Sequence, residues 1–132
     1  MRGNVPLQGE FVTITFDPQA GHEPKGRRPA FVVSVSGFNR ATGLAICCSI
    51  TNTDRKTPFH VGVPAESGLT GFVMCEQMKS VDFRARDLQR IGVAPKEFLD
   101  EVLSVIDACI YPKAEQDPPT ALRQSGTRGP CR

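Results

Sequence analysis

Tryptophan is absent from the 132 residues, and tyrosine occurs once. Any aromatic platform that stacks a base must therefore come from the eight phenylalanines. No apolar run approaches the roughly 18–20 residues that a membrane-spanning helix needs, so no membrane partner is expected. Met1-Arg2-Gly3-Asn4-Val5-Pro6 has no apolar stretch behind its arginine, which argues against a secretory signal and for the cytoplasm. The five cysteines fit no zinc spacing, and their odd number suits no complete disulfide framework. They read as small apolar residues of a reducing compartment, and neither a metal nor another cofactor is expected. A large charge of one sign is also missing. Sixteen Lys and Arg stand against 14 Asp and Glu, a formal net charge of +2, which excludes coating nucleic acid by bulk charge.

What is present is a globular composition, 39% hydrophobic and 23% charged, rich in the punctuating residues with 12 Gly and 11 Pro. Residues 9–16 alternate as a strand, with Val12, Ile14 and Phe16 on one face. Residues 29–35, 44–50, 58–63 and 71–78 read as further apolar strands, and 88–93 as a last short one. Residues 36–42 form a turn or helical loop closed by Gly43. The period then changes. Phe98, Leu99, Val102, Leu103, Ile106, Cys109 and Ile110 recur at helical spacing between Pro95 and Pro112. The expected fold is mainly β, a small and partly open barrel closed by one C-terminal amphipathic α-helix. It occupies residues 1–111, and residues 112–132 read as a disordered tail.

The balanced charge is segregated along the chain. Residues 1–90 hold 11 Lys and Arg against 8 Asp and Glu, whereas residues 91–111 hold 1 against 4. Lys25, Arg27 and Arg28 fall in one expected loop, and Arg55 and Lys56 in another. Glu23 and Arg28 flank the first loop, and Thr51 ends an apolar strand. A planar guanidinium matches phosphate oxygens, a threonine hydroxyl donates to one, and a carboxylate accepts a proton from a hydroxyl held close. Those three groups suffice for RNA cleavage by the neighbouring 2′-hydroxyl. The bland alternative is an Arg–Glu ion pair that only fixes the loop.

The runs Gly9-Glu10-Phe11-Val12, Phe16-Asp17-Pro18, Gly21-His22-Glu23 and Gly26-Arg27-Arg28-Pro29-Ala30 resemble the N-terminal signature of the MazF/PemK toxins. Phe38-Asn39-Arg40-Ala41-Thr42-Gly43 with Ile50-Thr51-Asn52 resembles the second block of that family. Pro58-Phe59 and the run from Glu76 to Arg86 resemble the third. The resemblance spans residues 8–111. It implies an SH3-like, CcdB-type β-barrel that forms a homodimer with RNA in a groove across the dimer face. It also implies a metal-independent, sequence-selective endoribonuclease of a type II toxin–antitoxin system, inhibited by a MazE-like antitoxin that threads an acidic segment over the groove. Carried over by position, Arg28 stabilises the phosphorane charge, Thr51 binds the scissile phosphate and Glu23 is the proposed base. Arg27, Asn52, Lys56, Gln77 and Lys79 fall where the family contacts single-stranded RNA or frames the groove.

The chain departs from the pattern at four places. Thr13 stands where Trp is common, Thr15 where an acidic residue is common, and Phe83 where Trp is frequent. Arg55-Lys56-Thr57-Pro58 replaces a common Lys-Gly-Tyr-Pro, so the base preference does not transfer. His22 beside Glu23 is a weaker general-base candidate, and His60 is expected to face solvent. Phe11, Phe16, Phe31, Phe59 and Phe72 lie in β-rich runs and are expected in the core, with one or two bordering the groove. Two rivals remain: a CcdB-like toxin that binds DNA gyrase and cuts nothing, and a degenerate RNA-binding member.

Overall fold

The computed structural model describes residues 5–15 and 26–112. Six strands form one antiparallel sheet: β1 (Glu10–Thr15), β2 (Arg27–Val32), β3 (Leu44–Thr51), β4 (His60–Gly62), β5 (Phe72–Asp82) and β6 (Gln89–Val93). Their order across the sheet is β4-β5-β3-β2-β1-β6. A short helix α1 (Ser36–Thr42) bridges β2 and β3, and α2 (Lys96–Ile110) follows β6. The sheet curls into a half-barrel carrying the C-terminal helix, as the sequence leads one to expect.

The curl buries apolar residues on both faces of the central strands. On one face Phe11, Phe31, Cys48, Val61, Val73 and Cys75 meet Phe98, Val102 and Ile106 of α2. The four-residue spacing of those three helix positions keeps them on one stripe. Phe11, Phe31 and Phe98 form an aromatic cluster with ring centroids 5.0–5.8 Å apart. On the other face Val12, Ile14, Ala30, Val32, Ala45, Cys47 and Val81 are closed over by Phe83 and Leu88. Covering on both sides explains why Ala30-Phe31-Val32 reads as a continuous apolar run. Cys47, Cys48 and Cys75 are buried thiols. Burial pushes their pKa up to about 12, 12 and 11, which keeps them inert.

Two polar devices tie the edges down. Glu10 is buried, accepts the Leu7 amide at 2.8 Å and pairs with the Arg90 guanidinium. Asn39, at the centre of α1, is fully buried and donates to the Pro6 carbonyl at 2.9 Å, while its side-chain oxygen accepts the Ser34 hydroxyl. Ser34 Oγ in turn accepts the Ile46 amide at 2.8 Å, so the cluster joins the N-terminal segment, α1 and β3.

Three expectations are corrected. β2 begins at Arg27, so Arg27 and Arg28 lie in a strand and not in a loop. Proline fits in a strand where its missing N–H leaves no ladder bond open, and the described ladder to β3 starts one residue after Pro29, at Ala30. Phe59 is 42% exposed at the β4 edge instead of buried. The His60 side chain is only 3% exposed, and its Nε2 sits 2.9 Å from Glu76 Oε2 across the β4–β5 pair. Phe16, His22 and Glu23 lie outside the described residues, as does the expected tail from residue 113 onward.

Candidate active site

The site grows from strand register. β2 and β3 pair antiparallel through Val32 with Cys47, Phe31 with Cys48 and Ala30 with Ser49. Beyond the last of these pairs, Arg28 lies two residues before Ala30 and Thr51 two residues after Ser49, so both stand at the same end of the two neighbouring strands. On its other side Arg28 pairs with Ile14 of β1, and Thr51 pairs with Phe72 of β5. The pair Ile14–Arg28 and the row Thr51, Phe72 and Gly62 therefore line the same end of the sheet. Side chains alternate along a strand, so Arg28 shares a face with Ala30 and Val32, and Thr51 with Ala45 and Cys47. That face is the one turned away from α2. Residues 23 positions apart thus come to the same end of the sheet, where Arg28 is exposed.

Thr51 Oγ1 accepts the Thr53 amide at 3.2 Å, which leaves its hydroxyl proton to be donated. The turn beyond it is buttressed from the start of β5. Thr70 Oγ1 donates to Asn52 Oδ1 at 2.9 Å. Gly71, at φ +116°, comes so close that a Cβ there would lie 2.5 Å from the Thr51 carbonyl oxygen and 3.0 Å from Asn52 Oδ1. Only glycine permits both that φ and that approach. Gly71 and Thr70 were missed from the sequence; a glycine leading directly into an apolar strand was the available signal.

The remaining candidates divide. Lys79 pairs with Cys47 on β5, four residues along β3 from Thr51, or about 13 Å. It shares the face of Arg28 and Thr51. Gln77 is exposed in the stretch where β5 runs Met74 to Gln77 against Ser49 alone, an irregularity between the Cys48–Met78 and Ile50–Val73 pairs. Lys56 extends from the loop after Asn52, its Nζ 3.6 Å from Asp54. Arg27 is placed elsewhere. Its guanidinium donates to Thr13 Oγ1 at 2.8 Å, Thr13 O at 2.8 Å, Thr15 Oγ1 at 3.0 Å and the Asp87 carbonyl at 2.6 Å. It clamps the β5–β6 turn to β1 on the opposite face from Arg28.

Glu76 stands beside this surface. Partial burial works to raise its carboxyl pKa, but hydrogen bonds from His60, its own backbone amide and Gln77 outweigh that and hold it below the ordinary glutamate range. Among the described residues, no three His, Cys, Asp or Glu side chains converge as a metal site. No helix among them is long and apolar enough to cross a membrane.

Residues 7–110 match the family model of the PemK-like, MazF-like toxin of type II toxin–antitoxin systems. This chain belongs to that family. It is 35% identical over 100 residues to the endoribonuclease PemK of Escherichia coli, spanning 73% of this chain and 75% of that one. It is 36% identical over 94 residues to the endoribonuclease toxin MazF of Escherichia coli strain K12, covering 70% and 84% of the two chains. The fold superposes on MazF in the MazE–MazF complex of Deinococcus radiodurans with a TM-score of 0.74 and 37% identity, over 80% of this chain and 96% of that one.

Family membership sharpens the departures. Lys56, where the family commonly has glycine, holds φ +55° here. Its strain is eased by Asp54, whose side chain accepts the Lys56 amide at 3.0 Å. Thr13 and Thr15, which replace the commoner Trp and acidic residue, are the two hydroxyls that hold Arg27.

Proposed function

We propose that this chain is the toxin of a type II toxin–antitoxin pair and cuts single-stranded RNA at short sequence motifs without a metal. The observation that carries the reading is that Arg28 of β2 and Thr51 of the neighbouring β3 lie at one end of the sheet on the face turned away from α2. In the reaction the ribose 2′-oxygen attacks the adjacent phosphorus and the bond from phosphorus to the 5′-oxygen breaks. The products are a 2′,3′-cyclic phosphate and a 5′-hydroxyl. Thr51 donates its hydroxyl proton to a non-bridging oxygen and positions the phosphate. Arg28 neutralises the charge that builds on the phosphorane and donates toward the leaving 5′-oxygen. Glu23, by its position in the family motif, takes the 2′-hydroxyl proton. Asn52, Lys56, Gln77 and Lys79 hold the strand on either side.

The family likeness supports two partners for this face: a second copy of the chain, joined as a homodimer, and an acidic segment of a MazE-like antitoxin. The MazE–MazF complex of the Deinococcus relative supports the second. Arg28, Lys56 and Lys79 offer the positive charge such a segment needs. The cytoplasm is the expected site of action, where mRNA is exposed.

The test is incubation of the purified chain with a long single-stranded RNA in EDTA. Discrete cuts that vanish in Arg28→Ala and Thr51→Ala support the reading. Intact RNA together with inhibition of DNA gyrase overturns it.

A further inference from the structure

Phe72 pairs directly with Thr51 at the end of the sheet that also carries Arg28. It is half-buried, yet its ring belongs to neither apolar core. Phe11, Phe31 and Phe98 fill the helix-covered core, and Phe83 fills the other. Val73, the next residue, is fully buried in the helix-covered core, so strand alternation turns Phe72 to the open face. Its cross-strand partners are Thr51 on one side and Gly62 on the other. Gly62 brings no side chain, and a Cβ built there would meet the Phe72 ring only at 3.9 Å. The sequence thus sets an aromatic ring beside the phosphate-binding hydroxyl and opposite a residue too small to cover it. Paired residues on neighbouring strands lie about 4.5–5.5 Å apart at Cα, close to the span from a phosphate to the base of its own nucleotide.

We infer that Phe72 is a positioning residue for the substrate, a platform on which the base next to the scissile phosphate stacks. Every base has a π-face, so the ring supplies grip and register, while neighbouring polar groups supply base choice. Stacking aligns the attacking 2′-oxygen with phosphorus, so its loss slows the chemical step as well as weakening binding. This rests on the assignment of Arg28 and Thr51 as the cleavage centre.

The absence of tryptophan makes the proposal directly readable, because Phe72→Trp installs a single reporter. The probe is a single-stranded RNA holding the mapped cleavage site, with a 2′-deoxynucleotide 5′ of the scissile phosphate so that it binds uncut. Its addition to the Phe72→Trp chain should quench the indole emission and saturate together with the anisotropy of the labelled RNA. Phe72→Ala should lower kcat/KM about ten- to a hundredfold, as expected for one lost base stack. Phe72→Tyr should restore cleavage and Phe72→Leu should not, because Leu keeps the bulk but lacks the ring. Emission unchanged at saturating RNA, or Phe72→Leu cutting like the wild type, overturns the proposal. So does a Phe72→Ala chain that cuts normally but no longer dimerises. If Phe72→Ala fails to fold, the Leu, Tyr and Trp variants decide. Arg28→Ala, measured in parallel, separates the two claims. An inactive Arg28→Ala beside a silent indole reporter rejects stacking alone, and an active Arg28→Ala rejects the site itself.

Discussion

The two faces of the sheet are built from the same strands and serve opposite ends. The helix-covered face spends its positions on Phe11, Phe31, Val73 and the stripe of α2, all buried, with aromatic rings locked together. Among the described residues, the other face is packed by Val12, Ile14, Val32, Cys47 and Val81. Toward one end it gives way to Arg28, Thr51 and Phe72, none of which belongs to either core. The comparison teaches that in this small fold a single strand carries both tasks, core and site, separated by distance along the strand and by side-chain parity. β3 is the clearest case, with Cys47 and Cys48 in the two cores and Thr51 three residues on, in the site.

If that division holds, the largest stability loss comes from the helix-covered face. Phe98→Ala removes a ring that touches two others and should cost about 3–5 kcal/mol in chemical denaturation, with cleavage by the surviving folded fraction unchanged. Arg90→Ala leaves the Glu10 carboxylate buried without its cation and should cost about 3 kcal/mol by the same measurement. A variant of the open face should do the reverse. Thr51→Ala should lower single-turnover cleavage about 10²-fold with the melting temperature unmoved. Lys56→Gly relieves a positive φ at a position that tolerates glycine and should raise stability by about 0.5–1 kcal/mol while weakening RNA binding through the lost charge. The smallest effect is Glu76→Gln. The Glu76 carboxyl is held below the ordinary glutamate range, so its contribution is fully present above that range. It fades as pH falls through the lowered folded-state value. Acid denaturation of the two chains should therefore converge at low pH.

Much of the architecture is legible in the sequence because it is local. Alternation marks β1, the four-residue spacing of Phe98, Val102 and Ile106 marks α2, and glycine closes α1 at Gly43. Arg28 and Thr51 are legible as residues through the family motif, but their meeting is not. It depends on a non-local register between β2 and β3 that no spacing announces. Arg27 and Arg28 look alike in sequence, and only strand parity sends one to clamp Asp87 and the other to the open face. Phe59 and Phe72 also look alike, each in an apolar run. The edge position of β4 exposes the first, and the pairing with Thr51 sets the second beside the site. His60 reads as a solvent-facing polar residue because its partner, Glu76, is 16 positions away.

The most direct test of the central claim is a double-mutant cycle on Arg28 and Thr51, read by single-turnover cleavage of a defined single-stranded RNA. Groups that act on one phosphate form a unit, so the Arg28→Ala/Thr51→Ala chain should be about as slow as the worse single variant. Losses that multiply, as for independent sites, or a wild-type rate in either single variant, would contradict the account.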